Sequence, residues 1–373
     1  MQFRDLKAQY EALKPQIDAG IQEVINSTSF ILGKPVAELE QRLAEYVGKK
    51  HCVGCANGTD ALQLALMIWG IGPGDAVFTS DFTYFASAGS SSILGATPVF
   101  VDIDLRTFNM DPDALEKAIQ KVIAEGKLTP KAIVPVDLFG LPADYPRIEA
   151  IAKKYGLKIL EDGAQGFGGN INGKRACSFG DMATTSFFPA KPLGCYGDGG
   201  AIFTDDDEVD ARLRSLRAQG KSPVDKYDNR EIGMNSRLDT IQAAILLPKF
   251  KAFVEYELEA VNNVAKWYTA RLADKFVTPY IPAGFYSSWA QYTLLLENEA
   301  QRTELQARLK ENGIPSMVYY PRGLHQQEAY AWMGVGDEDF PNTMAATKRV
   351  LSLPMHPYLD EATVDQITSV ILK

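Results

Sequence analysis

Short runs of β-branched and apolar residues alternate with stretches of helical periodicity between residues 50 and 205. The runs predict strands over His51–Cys55, Ala76–Ser80, Pro98–Ile103, Ala132–Leu138, Lys158–Glu161, Met182–Phe188 and Gly200–Thr204. The stretches between them predict helices over Asp60–Trp69, Ala86–Leu94, Pro112–Glu125 and Tyr145–Tyr155. Because repeated strand–helix units build a mostly parallel sheet with helices on both faces, we expect an α/β domain around this sheet.

Beyond Asp205 the pattern becomes mainly helical and then mixed. It predicts helices over Ser236–Leu247, Lys249–Lys275, Ala300–Asn312 and Glu361–Leu372, and strands over Gln291–Leu296 and Ser316–Tyr320. Prolines and a glycine interrupt the pattern after the long helix. We therefore expect a large domain over residues 1–247 and a smaller C-terminal α+β domain over residues 248–373.

Charge and cysteine content exclude several classes of protein. The net charge is −9, which disfavours a nucleic-acid binder because phosphate neutralisation needs a basic face. No window approaches the roughly 18 apolar residues of a membrane span. Cys52 and Cys55 form a lone C-x-x-C pair without a second pair at zinc spacing, so we expect no metal site. With so few cysteines and no export signal, we expect a cytoplasmic protein.

Gly58 and Thr59 stand where a predicted strand ends and a helix begins. Free backbone N–H groups and a hydroxyl at the positive end of a helix suit a phosphate group. Alternatively, Thr59 is only a helix cap. The segment alone favours neither interpretation.

Asp162 and Lys191 follow two other predicted strands. Asp162 ends an apolar run, where ligands of open α/β sheets bind, and could hold a protonated heterocyclic nitrogen or cap a helix. Lys191 lies between Pro189 and Pro192, which is not the setting of a solvated helix-face lysine. A desolvated lysine is a good amine nucleophile. Pyridoxal phosphate requires both a lysine and a carboxylate on its ring nitrogen.

Asn235 and Arg237 lie at the start of the predicted helix over Ser236–Leu247. An ordinary N-cap with a first-turn arginine is the simpler explanation. An arginine at the positive end of a helix is electrostatically unfavourable, however, which favours a ligand-binding role.

With these motifs the sequence resembles the sugar aminotransferases of the DegT/DnrJ/EryC1/StrS family, pyridoxal-phosphate enzymes that aminate keto sugars attached to nucleotides. The similarity extends from Phe3 to Tyr358, and its most specific parts are Phe187–Gly200 and Asn235–Thr240. The resemblance implies an aspartate-aminotransferase-like fold (fold type I), with a mostly parallel seven-stranded sheet in the large domain. It also implies a homodimer with composite active sites.

The resemblance implies a role for each site residue. Lys191 would bond to the cofactor and shuttle protons, and Asp162 would keep the ring nitrogen protonated. The remaining cofactor contacts would come from Gly58, Thr59 and Ser186 at the phosphate, Tyr84 on the ring face, Gln165 near the ring hydroxyl, and Asn235 of the neighbouring subunit. Substrate contacts would come from Arg237 at the sugar carboxylate and from Tyr319, Tyr320 and His325.

Within the family, the sequence is most similar to enzymes that aminate the 3-keto form of a UDP-N-acetyl-hexuronic acid. This similarity implies that glutamate donates the amino group and that the product enters a bacterial surface polysaccharide. Tyr319 replaces a histidine expected before Tyr320, and Gly166 replaces a serine after Gln165. These changes leave open a 4-keto nucleotide sugar as substrate. A third alternative is a nucleotide-sugar binding protein of the same fold without catalysis.

Overall fold

The protein is described by a computed structural model that covers residues 1–222, 224–225 and 227–373. The strands are β1 His51–Cys55, β2 Asp75–Ser80, β3 Thr97–Val101, β4 Thr129–Val134, β5 Lys158–Asp162, β6 Asn170–Ile171, β7 Lys174–Arg175, β8 Met182–Ser186, β9 Gly200–Thr204, β10 Phe285–Tyr286, β11 Tyr292–Leu295 and β12 Val350–Leu353. The helices are α1 Leu6–Ser27, α2 Lys34–Val47, α3 Gly58–Ile68, α4 Ala86–Ile93, α5 Pro112–Glu125, α6 Tyr145–Tyr155, α7 Asp207–Leu216, α8 Thr240–Ala252, α9 Leu258–Leu272, α10 Glu299–Glu311, α11 Pro341–Arg349 and α12 Glu361–Ile371.

The main sheet of the described residues has seven strands in the order β1-β9-β8-β5-β4-β2-β3. Strands β3, β2, β4, β5 and β8 pair in parallel, whereas β9 runs antiparallel to both β8 and β1. The predicted seven-stranded, mostly parallel sheet is therefore confirmed. Because the parallel strands end at one edge, residues that follow β2, β5 and β8 meet there.

Both faces of this sheet are covered, which explains why its strands are continuous apolar runs. Neighbouring residues of one strand belong to different cores: Val77 packs with α3, and Phe78 packs with α5 and α6. In β5, Leu160 likewise belongs to the core of Val77, and Ile159 belongs to the core of Phe78. This alternation follows from the period of two of a β-strand.

The C-terminal segment has its own core, formed by α9, α10, α12 and the antiparallel pair β11–β12. The predicted strand over Ser316–Tyr320 is wrong, because only Met317 forms a bridge, to Ser352. Tyr319 and Tyr320 instead pack against rings of Phe3 and Phe82. The partner of β11 is β12, a short run that the sequence pattern did not reveal.

Residue 248, the predicted domain boundary, lies inside α8, which continues through a π-helical turn at Phe253–Glu257 into α9. The boundary stays a prediction. The sequence pattern also did not predict α1 and α2. Helix α1 packs along α8 through Leu13 and Ile17. None of the described helices is both long and apolar enough to cross a bilayer.

Candidate active site

Asp162 is the last residue of β5 and lies at the carboxyl edge of the sheet. Its Oδ2 accepts a hydrogen bond of 2.8 Å from Ser87 Oγ, and its Oδ1 accepts one of 3.2 Å from the N–H of Ala164. Burial raises the pKa of Asp162, while the Ser87 bond and the positive charge of Lys191 oppose this rise. Asp162 is thus a buried carboxylate that is held in place and faces a cation.

Lys191 occupies the loop that follows β8, where its N–H donates to the carbonyl of Phe188 at 2.8 Å. Its side chain makes no hydrogen bond or ion pair within the described residues. Burial lowers the pKa of the Lys191 amine, and Asp162 partly counteracts this effect. A lowered pKa increases the fraction of neutral amine, which is the nucleophilic form.

Gln165 and Tyr320 lie beside Asp162 and form the next part of the candidate site. Gln165 Oε1 accepts from the N–H of Phe139 at 2.9 Å, and its Nε2 donates to Tyr320 Oη at 3.2 Å. Burial raises the pKa of Tyr320, and nearby Asp162 and Tyr84 add to the rise. Four residues expected at the site from the sequence, Asp162, Gln165, Tyr84 and Tyr320, therefore lie close together.

The predicted phosphate site lies where α3 begins, next to the end of β8. Asn57 caps α3 by accepting a hydrogen bond of 2.8 Å from the N–H of Asp60. A Cβ atom on Gly58 would lie 2.7 Å from Ser186 Cβ, so only glycine fits at this distance from Ser186. Thr59 is in the first turn of α3. The cap belongs to Asn57 rather than to Thr59, which leaves the Thr59 hydroxyl for another role.

Asn235 and Arg237 lie on either side of buried Ser236, whose Oγ accepts a hydrogen bond of 3.1 Å from the N–H of Ala56. The segment is thereby tied to the start of the phosphate loop. Asn235 is exposed, and Arg237 has no hydrogen bond or ion pair among the described residues. Neither side chain contacts Lys191 within this chain, so their assignment to a site stays a prediction.

His325 is buried in a different polar cluster. Its Nδ1 lies 2.6 Å from Asp81 Oδ2, its Nε2 lies 3.0 Å from Asp337 Oδ1, and its ring stacks on Phe340. Because both ring nitrogens already have carboxylate partners, these contacts favour a structural role. The substrate-binding role expected of His325 has no support in this geometry.

Comparisons with known proteins identify the family. The model of the DegT/DnrJ/EryC1/StrS aminotransferase family matches residues 11–372. The chain belongs to this family. It is 48% identical, over 100% of its length and 99% of the relative, to UDP-2-acetamido-2-deoxy-3-oxo-D-glucuronate aminotransferase of Pseudomonas aeruginosa.

Two solved structures extend the comparison. A DegT/DnrJ/EryC1/StrS aminotransferase from Brucella abortus has 50% identity and a TM-score of 0.96, with 100% of this chain and 98% of that chain covered. NtdA from Bacillus subtilis, which contains the cofactor PMP, has 29% identity and a TM-score of 0.86, with 97% and 82% covered. The chain is a pyridoxal-phosphate-dependent aminotransferase of fold type I.

The residues of the site fit this cofactor. Lys191 supplies an amine of lowered pKa, and Asp162 supplies a carboxylate facing it for the ring nitrogen. Gly58 and Ser186 form a cradle that an additional Cβ atom would fill, beside the positive end of α3. This family member therefore carries the three features that the cofactor requires: an amine, a carboxylate and a phosphate site.

Sequence reasoning missed two residues that support the site. Ser87 holds Asp162, and the only signal for it is an unusual run of small hydroxyl residues in α4. Arg4 donates to the main chain of Lys191, a contact across 187 residues that no local pattern reveals. The structure also explains Gly166, because a Cβ atom there would overlap with buried Asp137.

Proposed function

We propose that this aminotransferase transfers the amino group of glutamate to the 3-keto group of a UDP-linked N-acetyl-hexuronic acid. The observation that carries the proposal is Arg237, a half-buried guanidinium without a partner among the described residues. A guanidinium fork matches a carboxylate with two parallel hydrogen bonds, and the substrate named for the Pseudomonas relative is a glucuronate.

Each residue of the candidate active site has a chemical role in this proposal. Pyridoxal phosphate, when bound, supplies a ring that accepts the electron pair released at the substrate carbon. The Asp162 carboxylate would hold a proton on the ring nitrogen, and the Ser87 hydroxyl orients Asp162 and favours its ionised form. Lys191 Nζ takes a proton from the amino donor and returns it to the sugar carbon. Gln165 and Tyr320 present fixed hydrogen-bonding groups beside the ring.

We further propose that two chains complete each other's sites. Phe30, Ile31 and Leu32 are consecutive exposed apolar residues, and they pair with the segment after Arg237 through a bridge between Ile31 and Asp239. A two-fold dimer would bury this strip reciprocally. It would also bring Asn235 and Arg237 to the Lys191 site of the partner.

The substrate is tested by mass spectrometry of products from UDP-linked 3-keto and 4-keto sugars, each with and without a C6 carboxylate. We expect the 3-keto uronate to be preferred. Arg237→Gln should lower kcat/KM for the uronate by about 100-fold and leave the neutral sugar nearly unaffected, because only the uronate has a carboxylate to bind. Arg230→Gln is the matched control, since Arg230 lies in the same loop and pairs with exposed Asp228.

Equal turnover of a neutral 4-keto sugar by the wild type would contradict this substrate assignment. Turnover of no keto sugar, together with retained nucleotide-sugar binding, would instead indicate a binding protein of the same fold. Isotope transfer from labelled glutamate to the product identifies the amino donor. An unlabelled product would exclude glutamate.

The composite site is tested by mixing Lys191→Ala and Arg237→Ala proteins under subunit exchange. Random pairing makes half of the dimers mixed, and each mixed dimer has one intact site out of two. Activity should therefore return to about a quarter of the wild-type value. If exchange is demonstrated and nothing returns, Arg237 acts within its own chain.

The cellular setting also belongs to this proposal. All four cysteines are free thiols, as is usual in a reducing compartment, so we propose that the enzyme works in the cytoplasm. An aminated UDP-sugar made there would serve the synthesis of a bacterial surface polysaccharide.

A further inference from the structure

Arg4 precedes α1 and reaches across to the loop that carries Lys191. Its Nη2 donates to the carbonyl oxygen of Lys191 at 2.8 Å and to that of Pro192 at 3.3 Å. Both acceptors belong to the main chain of the segment that aims the lysine side chain. One guanidinium therefore holds two consecutive peptide groups of the loop.

The segment around Arg4 is anchored independently of these bonds. Phe3 accepts a hydrogen bond of 3.1 Å from the N–H of Met355, and its ring packs on Tyr319 with 6.2 Å between centroids. Asp5 caps α1 by accepting from the N–H of Ala8 at 2.9 Å. Arg4 thus has fixed residues on both sides, so its bonds can constrain the lysine loop rather than follow it.

The position of Arg4 is electrostatically unfavourable for its charged guanidinium. It forms no ion pair among the described residues, and burial lowers the pKa of its guanidinium to about 10, with Glu257 and Tyr319 acting in the opposite direction. A half-buried arginine that binds carbonyls instead of a carboxylate is poorly compensated. Such a cost is common where a charge serves a site rather than stability.

We propose that Arg4 is a positioning residue for Lys191: it fixes the Lys191–Pro192 main chain so that the amine stays directed at Asp162, and it supplies a nearby positive charge. This inference rests on the role of Lys191 in the proposed function. Arg4 contacts neither sugar nor cofactor in this assignment. It acts only through the lysine.

The charged and titratable groups around the pair agree with this role. Asp162 raises the pKa of the Lys191 amine, whereas burial and Arg4 lower it. On the other side, Arg4 faces Glu257, Tyr319, Lys249 and His356. Among these groups Glu257 is the carboxylate, and it is already bonded by Gln9 and Tyr358.

Two substitutions separate the charge of Arg4 from the reach of its guanidinium. Arg4→Gln removes the positive charge, whereas Arg4→Lys keeps the charge on a shorter side chain without the planar guanidinium whose Nη2 donates to both carbonyls. Arg42→Gln is the matched control, because Arg42 is an exposed arginine on α2 that pairs with Glu38. Circular dichroism and thermal unfolding of each variant report on folding.

The first measurement uses the cofactor-free protein. Lys191 is acylated by a mild reagent over a range of pH, and the modified peptide is quantified by mass spectrometry. Arg4→Gln should raise the midpoint of Lys191 labelling by about one pH unit, because a nearby cation no longer disfavours the charged amine. Arg4→Lys and Arg42→Gln should keep the wild-type midpoint.

The second measurement uses the loaded enzyme. Both Arg4 variants should lower kcat by roughly ten- to a hundredfold through misplacement of the amine, while KM for the nucleotide sugar stays unchanged. Unchanged kcat in both variants, or a raised KM with unchanged kcat, would overturn the proposal. A loss of thermal stability without any shift of the Lys191 midpoint in Arg4→Gln would also overturn it.

If Arg4→Gln does not fold, Arg4→Lys provides the test: a lowered kcat with the wild-type midpoint supports positioning through the guanidinium, and wild-type kcat overturns the proposal. Failure of the role that the proposed function gives to Lys191 has a different result. In that case the wild-type cofactor is attached elsewhere than at Lys191, whereas the labelling midpoint of Lys191 still reports on Arg4.

Discussion

Two buried polar centres lie at the carboxyl edge of the same sheet, and they treat their charges differently. One follows β2, where Asp81 Oδ1 accepts a hydrogen bond of 2.8 Å from the N–H of His325 and Asp81 Oδ2 lies 2.6 Å from His325 Nδ1. The other ends β5, where Asp162 faces Lys191, whose amine has no hydrogen bond among the described residues.

The comparison shows how one edge of a sheet can carry both a structural and a chemical centre. At Asp81 every strong donor and acceptor is paired, which stabilises the fold and leaves nothing for a substrate. Lys191 is half-buried and its amine is unpaired, so its pKa falls and its nucleophilic form becomes available. A position at the carboxyl edge of the sheet makes a polar residue a candidate for the site. Whether its polar atoms already have protein partners distinguishes a structural role from a chemical one.

Replacing Lys191 should give the largest effect. Lys191→Ala should have no transamination activity, because no other residue of the candidate active site supplies an amine that bonds to the cofactor and moves the proton. Transfer of label from glutamate to a keto sugar measures the loss. Activity of Lys191→Ala within tenfold of the wild-type value would show that the centre of Asp162 and Lys191 is not the chemical one.

Removing the charge at β5 and at β2 should separate activity from stability. Asp162→Asn should lower kcat on the order of 10²–10³-fold, because an amide cannot hold the proton on the ring nitrogen. Asp81→Asn should leave kcat per folded molecule unchanged. Kinetics at saturating sugar, normalised to bound cofactor, make the comparison, and equal losses in both variants would remove the distinction between the centres.

Breaking the paired centre should affect stability. His325→Asn should lower the free energy of unfolding by about 3 kcal/mol, because it leaves Asp81 buried without its ring partner. Urea unfolding measures this change. KM for the nucleotide sugar should not change; a raised KM with normal stability would instead support the substrate contact expected from the sequence.

The same centre predicts a pH dependence of stability. Burial lowers the pKa of His325, but the hydrogen bonds and negative charges of Asp81 and Asp337 together outweigh burial, so the folded-state pKa is raised. The stabilisation is therefore complete below the unfolded pKa of roughly 6.5 and is lost as pH rises through the folded pKa. Urea unfolding of the wild type should show this decrease, and His325→Asn should not.

The smallest effect is expected at Ser87. Its hydrogen bond favours the ionised form of Asp162, so Ser87→Ala should raise the pKa of Asp162 further. The acidic limb of the pH–rate profile should move up by about one pH unit. Ser91→Ala is the control, because the Ser91 hydroxyl bonds only to a carbonyl within α4. An unmoved limb would show that Ser87 does not tune Asp162.

Local sequence signals predicted the parallel sheet and its edge well. Short runs of apolar and β-branched residues mark strands β1, β2, β5, β8 and β9. Asp162 stands at the end of one such run, and Lys191 lies in the loop after another. Long-range packing was not predictable in this way. The strand expected over Ser316–Tyr320 fails because its tyrosines pack on Phe3 and Phe82, and β12 forms only because β11 lies beside it.

The site shows the same division. Lys191 and its flanking prolines carry a local signature, whereas Arg4 and Ser87 act through contacts between distant segments. The contacts of His325 with Asp81 and Asp337 also join distant segments, and its substrate-binding role stays a prediction. A single sequence cannot tell whether a polar residue is already paired in the fold.

The central claim is that Lys191 is the lysine that bonds to the cofactor, and borohydride reduction tests it most directly. The yellow holoenzyme is reduced, digested and mapped by mass spectrometry. The account predicts that the cofactor mass lies on the peptide containing Lys191. Lys249 is the natural rival, since it is buried and its amine also has no hydrogen bond among the described residues. Cofactor mass on Lys249, or on no lysine at all, would contradict the account.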